Sequence, residues 1–155
     1  MHARKILLQI AIGIESLHRI NIVHRDIKVE NILMSDYSED AKARIADLGS
    51  AVVLDSPSDT TNFKIGTPGY TAPEIIRGES YSFPVDVWSL GCILHVMLVA
   101  VPPFWEDDRK QREHKVCNAD LNFNSNEYSC NLSDSCKDLL CQLLQKEPHQ
   151  RPTIT

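Results

Sequence analysis

Apolar residues recur at helical spacing near the start of the chain. Ile6, Leu7, Ile10, Ile14 and Leu17 share one face, and Leu8, Ala11 and Ile12 widen it. The spacing predicts a helix over 3–19, buried on most sides. A polar octet follows, His24-Arg25-Asp26-Ile27-Lys28-Val29-Glu30-Asn31. Two short strands are then expected, 31–34 and 42–46. In the second, Lys42 and Arg44 alternate with Ala43 and Ile45, a period of two. The polar stretch 35–40 turns the chain between them, giving a small hairpin. Residues 47–74 show little periodicity and are rich in Ser, Thr, Asp, Gly and Pro. So long a connection is usually functional or a disordered linker. Residues 86–100 are apolar almost throughout and predict a buried helix ending before Pro102-Pro103. A short polar helix falls within 104–114, and 115–131 reads as irregular. Ser133 is a good N-cap for a last helix carrying the stripe Cys136, Leu139, Leu140, Leu143 and Leu144, with Pro148 as its stop. The fold class is mainly α with one small β-hairpin.

Composition narrows the function classes. The 155 residues are 43% hydrophobic and 24% charged, with a formal charge of −5, which suits one globular domain. No basic run of five or more residues occurs, so nucleic acid is not an expected partner. The run 6–14 behind Arg4 and Lys5 lacks a small-residue cleavage site and is not read as a leader. The run 85–101 contains Asp86 and His95 and falls short of the about 20 apolar residues of a spanning helix. No membrane role is expected. Five cysteines without a Cys-x-x-Cys pair suggest reduced thiols and a cytoplasmic or nuclear location. A zinc site from Cys130, Cys136, Cys141 and His149 has spacings that match no common ligand pattern.

The octet carries the chemistry. Phosphoryl transfer needs a group to receive or orient the acceptor's proton, a divalent metal on the phosphate oxygens and a cation for their charge. Asp26 can serve the first need and Lys28 the third. Asn31 offers a neutral oxygen ligand, and Asp47, beyond the hairpin, an anionic one. Hard oxygen ligands of this kind suit Mg²⁺. Each residue alone could equally be a solvated loop charge.

Several motifs stand in order. His24-Arg25-Asp26-x-Lys28-x-x-Asn31 resembles the protein-kinase catalytic loop. Asp47-Leu48-Gly49 resembles the metal-binding Asp-Phe-Gly motif, and Ala72-Pro73-Glu74 the Ala-Pro-Glu motif that closes the activation segment. Gly66-Thr67-Pro68-Gly69-Tyr70 and Asp86-Val87-Trp88-Ser89-Leu90-Gly91 resemble further serine/threonine-kinase patterns, and Arg151 matches the arginine that pairs with the motif glutamate, here Glu74. Pro102-Pro103-Phe104-Trp105 resembles the calcium/calmodulin-dependent kinase group.

The resemblance implies a serine/threonine kinase using ATP and Mg²⁺ on a protein substrate. It makes Asp26 the catalytic base or hydroxyl-orienting group and Lys28 the cation on the transferring phosphate. It makes Asn31 and Asp47 the metal ligands, and puts Leu33 against the adenine. Glu30 and Thr67 would face the substrate, with a basic substrate expected from Glu30. His24, Arg25, Glu74, Asp86 and Arg151 would support the site, Asp86 by holding the catalytic loop's backbone N–H groups. Arg25 usually binds a phosphate on the activation segment, but the usual acceptor position is Phe63 here. Thr60 and Thr61 are the remaining acceptors, and phosphorylation of the segment is expected to be dispensable. Leu48 for Phe and Val29 for Pro are tolerable exchanges.

The sequence contains no Gly-x-Gly-x-x-Gly loop and no Val-Ala-x-Lys strand. The expectation is therefore the large lobe alone, from its first long helix to just before its last, without the N-lobe that grips the nucleotide. A lobe of this kind is expected to be nearly inactive by itself and to expose Leu33 and Leu48 to a covering partner. The alternative reading is a non-catalytic, kinase-derived binding or decoy module.

Overall fold

The computed structural model describes residues 2–123 and 132–154. Helix α1 (His2–His18) leads into β1 (Ile22–Val23), a 3₁₀ turn (Val29–Asn31), β2 (Ile32–Met34), β3 (Ala43–Ile45) and β4 (Val52–Val53). Helices α2 (Pro73–Arg77), α3 (Pro84–Val99), α4 (Arg109–Asn118) and α5 (Asp134–Leu143) follow. Strands β2 and β3 form the expected antiparallel hairpin, with Leu33 opposite Arg44. Strands β1 and β4 make a second antiparallel pair, Ile22 opposite Val53. Two-residue strands are too short to show a period, so this pair left no pattern in the sequence.

Helix α3 is the axis of the core. Every residue from Val85 to His95 is buried, which explains why its sequence shows a continuous apolar run and no stripe. Pro84 opens it and Ala100, at φ 64°, caps it by donating its N–H to Val96. Gly91 lets α5 approach closely: a Cβ there would lie 2.9 Å from Leu143 Cβ and Leu144 Cδ2. Helix α1 packs on α3 and β3 through Ile10 and Ile14, both fully buried.

Four expectations need correcting. Helix α4 runs on to Asn118, into the stretch expected to be irregular, because its Asp108 cap starts it late and Ala119 N still closes on the Lys115 carbonyl. Helix α1 is not buried on most sides, because Leu8 and Ile12 are 60% and 52% exposed. The α5 stripe is narrower than expected: Leu140, Leu143 and Leu144 are buried, but Leu139 is exposed. Pro148 is not the stop of α5, which ends at Leu143. Beyond the helix the Gln145 and Lys146 carbonyls accept from the Arg151 side chain. Pro148 instead opens a 3₁₀ turn. The expected cap is present: Ser133 Oγ accepts from Cys136 N at the start of α5. Asp108 likewise caps α4 by accepting from Gln111 N, a cap the sequence reading did not single out.

Candidate active site

The octet occupies the segment between β1 and β2, anchored from below by α3. The fully buried Asp86 carboxylate accepts from the backbone N–H of His24 and of Arg25, both at 2.9 Å. His18 Nε2 donates to the same carboxylate at 2.9 Å. Two buried donors and an imidazole thus share one anion, an arrangement that fixes the loop and satisfies groups costly to leave unpaired. Buried His24 places its Nε2 3.2 Å from the Ala46 carbonyl. Arg25 adopts φ 69° and Asp47 φ 65°. Left-handed backbone at non-glycine residues carries strain, and such strain gathers at functional sites.

Above this anchor three side chains close a triangle. Lys28 Nζ donates to Asp26 Oδ2 at 2.7 Å and to Thr67 Oγ1 at 2.8 Å. Thr67 Oγ1 donates to Asp26 Oδ1 at 2.6 Å. The Lys28 and Asp26 side chains are 20% and 13% exposed, so the carboxylate is held firmly yet opens to solvent. Asn31 is buried beneath, its Nδ2 donating to Asp26 O at 2.8 Å and reaching Asp26 Oδ2 at 3.4 Å. With the amide nitrogen committed to Asp26, the amide oxygen is the atom Asn31 can offer a cation.

Asp47 arrives by the backbone. Ala46 N donates to the Asn31 carbonyl at 2.8 Å, which sets the exposed Asp47 beside the octet. Its carboxylate accepts from Gly49 N at 3.0 Å and, among the described residues, bonds none of the Asp26, Lys28 or Asn31 side chains. An amide oxygen and an exposed carboxylate at neighbouring backbone positions are a donor set that fits Mg²⁺ sharing its other positions with water and phosphate. No group of three or more His, Cys, Asp or Glu among the described residues is arranged to hold a metal. That includes Cys136, Cys141 and His149; Cys130 lies outside the described residues.

The remaining candidates are dispersed. Glu30 is exposed. Burial pushes the Tyr70 hydroxyl up to about 12, with the Glu30 charge adding to the effect. Leu33 and Leu48 are 58% and 54% exposed. Glu74 and Arg151 form a fully buried pair at 2.6 and 2.7 Å, joining α2 to the end of the chain. Arg25 Nε donates to the Ser50 carbonyl at 2.6 Å. Two residues escaped the sequence reading, His18 and Tyr81. His18 is simply the last residue of an amphipathic helix, and Tyr81 sits among polar residues; neither carries a local signal.

An Asp–Lys–Thr triangle thus sits over an anchored polar loop, with an amide and a second carboxylate alongside, on a helical body with small antiparallel sheets. The protein kinase domain model matches residues 1–155. The chain belongs to the protein kinase domain family. It is 38% identical over 152 residues to the serine/threonine-protein kinase PLK4 of Drosophila virilis, covering 98% of this chain and 18% of that protein. The PLK4 of Drosophila grimshawi is 39% identical, with 98% and 19% covered. A calcium and calcium/calmodulin-dependent serine/threonine-protein kinase of Oryza sativa subsp. japonica is 36% identical over 150 residues, with 97% and 29% covered. The chain spans less than a third of the length of these relatives. No helix among the described residues is long and apolar enough to cross a membrane.

Proposed function

We propose that these residues are the large, C-terminal lobe of a serine/threonine protein kinase domain, acting on protein substrates in the cytoplasm or nucleus. The observation that carries this reading is the triangle of Asp26, Lys28 and Thr67, in which both carboxylate oxygens of Asp26 are committed at 2.6 and 2.7 Å. Asp26 is the group that receives or orients the proton of a serine or threonine hydroxyl. Lys28 is the cation that faces the transferring phosphate. Thr67 holds both in register. Asn31 and Asp47 are the residues that would hold Mg²⁺, and Leu33 the surface for adenine. Bound Mg²⁺-ATP would supply the phosphoryl group and the charge compensation on its oxygens. Glu30, exposed at the edge, favours a basic substrate side chain.

Positioning accounts for about 7–11 kcal/mol of such a barrier, and these residues include no glycine-rich loop to cover the phosphates. Transfer therefore depends on an N-lobe or partner that supplies one. The 155 residues alone are expected to give no Mg²⁺-ATP-dependent phosphorylation of a basic peptide. Turnover by them that Asp26→Asn abolishes would refute that dependence. In the protein that carries the covering lobe, Asp26→Asn is expected to lower transfer by about 10²–10⁴-fold, and an unchanged rate would refute the assignment of Asp26. A second reading, a non-catalytic binding or decoy module, draws support from the exposure of Leu33 and Leu48, since such apolar surface usually meets a partner.

A further inference from the structure

Tyr81 lies in the connection between α2 and α3, far in sequence from the octet, and is 3% exposed. Its backbone forms a two-way bridge with Thr61, Thr61 N to Tyr81 O at 2.9 Å and Tyr81 N to Thr61 O at 2.8 Å. Its hydroxyl donates to the Phe63 carbonyl at 2.6 Å and accepts from Arg25 Nη1 at 3.4 Å. Arg25 makes no ion pair among the described residues; its other side-chain contact is the Ser50 carbonyl. One phenol therefore stands between the half-buried Arg25 guanidinium and the backbone of the segment leading to Thr67. The contacts close a ring: Asp26, its neighbour Arg25, the Tyr81 hydroxyl, Phe63, and four residues on Thr67, which returns to Asp26 at 2.6 Å.

We infer that Tyr81 is a positioning residue whose hydroxyl couples Arg25 to the 61–63 segment and so holds Thr67 on Asp26 without a phosphate on that segment. Its consequence for transfer rests on the kinase reading above; the coupling itself does not. The Phe63 side chain is 66% exposed, so it is the carbonyl, and not the ring, that makes the link. A neutral hydroxyl shared by a cation and a carbonyl does here what a charged group would do by ion pairing. Loss of one such bond in a buried setting corresponds to about a fivefold change in a local opening equilibrium.

The test is amide hydrogen exchange of the whole chain, followed by mass spectrometry, for wild type, Tyr81→Phe, Arg25→Met and the double variant. In Tyr81→Phe, exchange over 59–65 is expected to rise about fivefold while exchange over 88–95 in α3 stays unchanged. In Arg25→Met exchange over 59–65 is also expected to rise, and in the double variant to rise no further than in the larger of the two single variants. Unchanged exchange over 59–65 in Tyr81→Phe overturns the inference. A rise in α3 as large as that over 59–65 also overturns it, since Tyr81 would then act only as core packing. Rises in Tyr81→Phe and Arg25→Met that multiply in the double variant overturn the role of Arg25. None of these readouts requires catalytic activity, so a failure of the kinase reading leaves the result interpretable.

Discussion

Removing the charge of Glu74 is the sharpest single perturbation of the fold. Glu74 and Arg151 are 77 residues apart and their side chains are 1% and 0% exposed. The guanidinium donates to both carboxylate oxygens, at 2.6 and 2.7 Å, and to the carbonyls of Pro84 at 2.9 Å, Gln145 at 2.8 Å and Lys146 at 3.2 Å. Trp88 lies against it, 5.1 Å from ring centroid to guanidinium. Glu74→Gln keeps the volume but leaves a buried cation without its anion and turns an amide N–H towards the guanidinium donors. Breaking a buried pair from one side costs about 3–5 kcal/mol, a large share of the roughly 5–15 kcal/mol that holds a domain folded. At the lower value the midpoint temperature falls by about 6–12 °C for a chain of this size. Arg151→Met is expected to cost more, because it strands the Glu74 carboxylate and also takes the donor from three carbonyls. Urea unfolding followed by circular dichroism at pH 7 measures both, provided the m-values agree. A Glu74→Gln variant within about 1 kcal/mol of wild type would show that the pair behaves like a solvated surface pair, and the reverse order of the two variants would refute the carbonyl argument.

Two further outcomes follow from the packing. Gly91→Ala is expected to lower stability by roughly 1–2 kcal/mol, because the new Cβ meets Leu143 Cβ and Leu144 Cδ2 at 2.9 Å; a gain of about 1 kcal/mol, as for an open helix position, would contradict the α3–α5 contact. Burial pushes the Lys146 ammonium down to about 8, with Asp120 pulling the other way. Its nitrogen sits 3.7 Å from the Phe104 ring centroid without a hydrogen-bond partner. The unfolded chain keeps that proton to about pH 10.4, so the group's destabilisation is complete below pH 8 and is relieved as pH rises from there. Lys146→Met should therefore exceed wild type in stability at pH 7, by a margin that shrinks towards pH 9. A margin that is absent or widens, read from urea midpoints across that range, would contradict the burial. The Cys92 thiol, which burial pushes up, makes stability fall at high pH in both proteins.

Motif spacing in the sequence pointed to the Asp26–Lys28–Thr67 triangle and the Asn31–Asp47 neighbourhood, because Asp26, Lys28 and Asn31 fall in one octet and the motifs that carry Asp47 and Thr67 stand in family order. Helices α3 and α5 were legible from an apolar run and a stripe bounded by a good cap. What escaped was set by contacts between distant segments. Strands β1 and β4 are two residues each and exist because Leu54 N finds the Asn21 carbonyl and the ladder closes beside it. Just beyond α5 Arg151 takes two carbonyls, contacts that no local propensity encodes. Leu8 and Ile12 were counted into a buried face because periodicity shows which residues are apolar, but not how far the neighbouring elements reach around the helix. Tyr81 and His18 each act through a single polar atom on an otherwise ordinary core side chain, and such roles appear only when partners 18 and 68 residues away are in place.

Binding of a paramagnetic divalent ion tests the account most directly. Mn²⁺ titrated with ATP into the isotope-labelled chain is expected to broaden the amide signals of Asn31 and of residues 46–48 first, with Asp26 next, and Asp47→Asn is expected to abolish that broadening while leaving the rest of the spectrum in place. Broadening centred elsewhere on the chain, or broadening at these residues that survives Asp47→Asn, would contradict it.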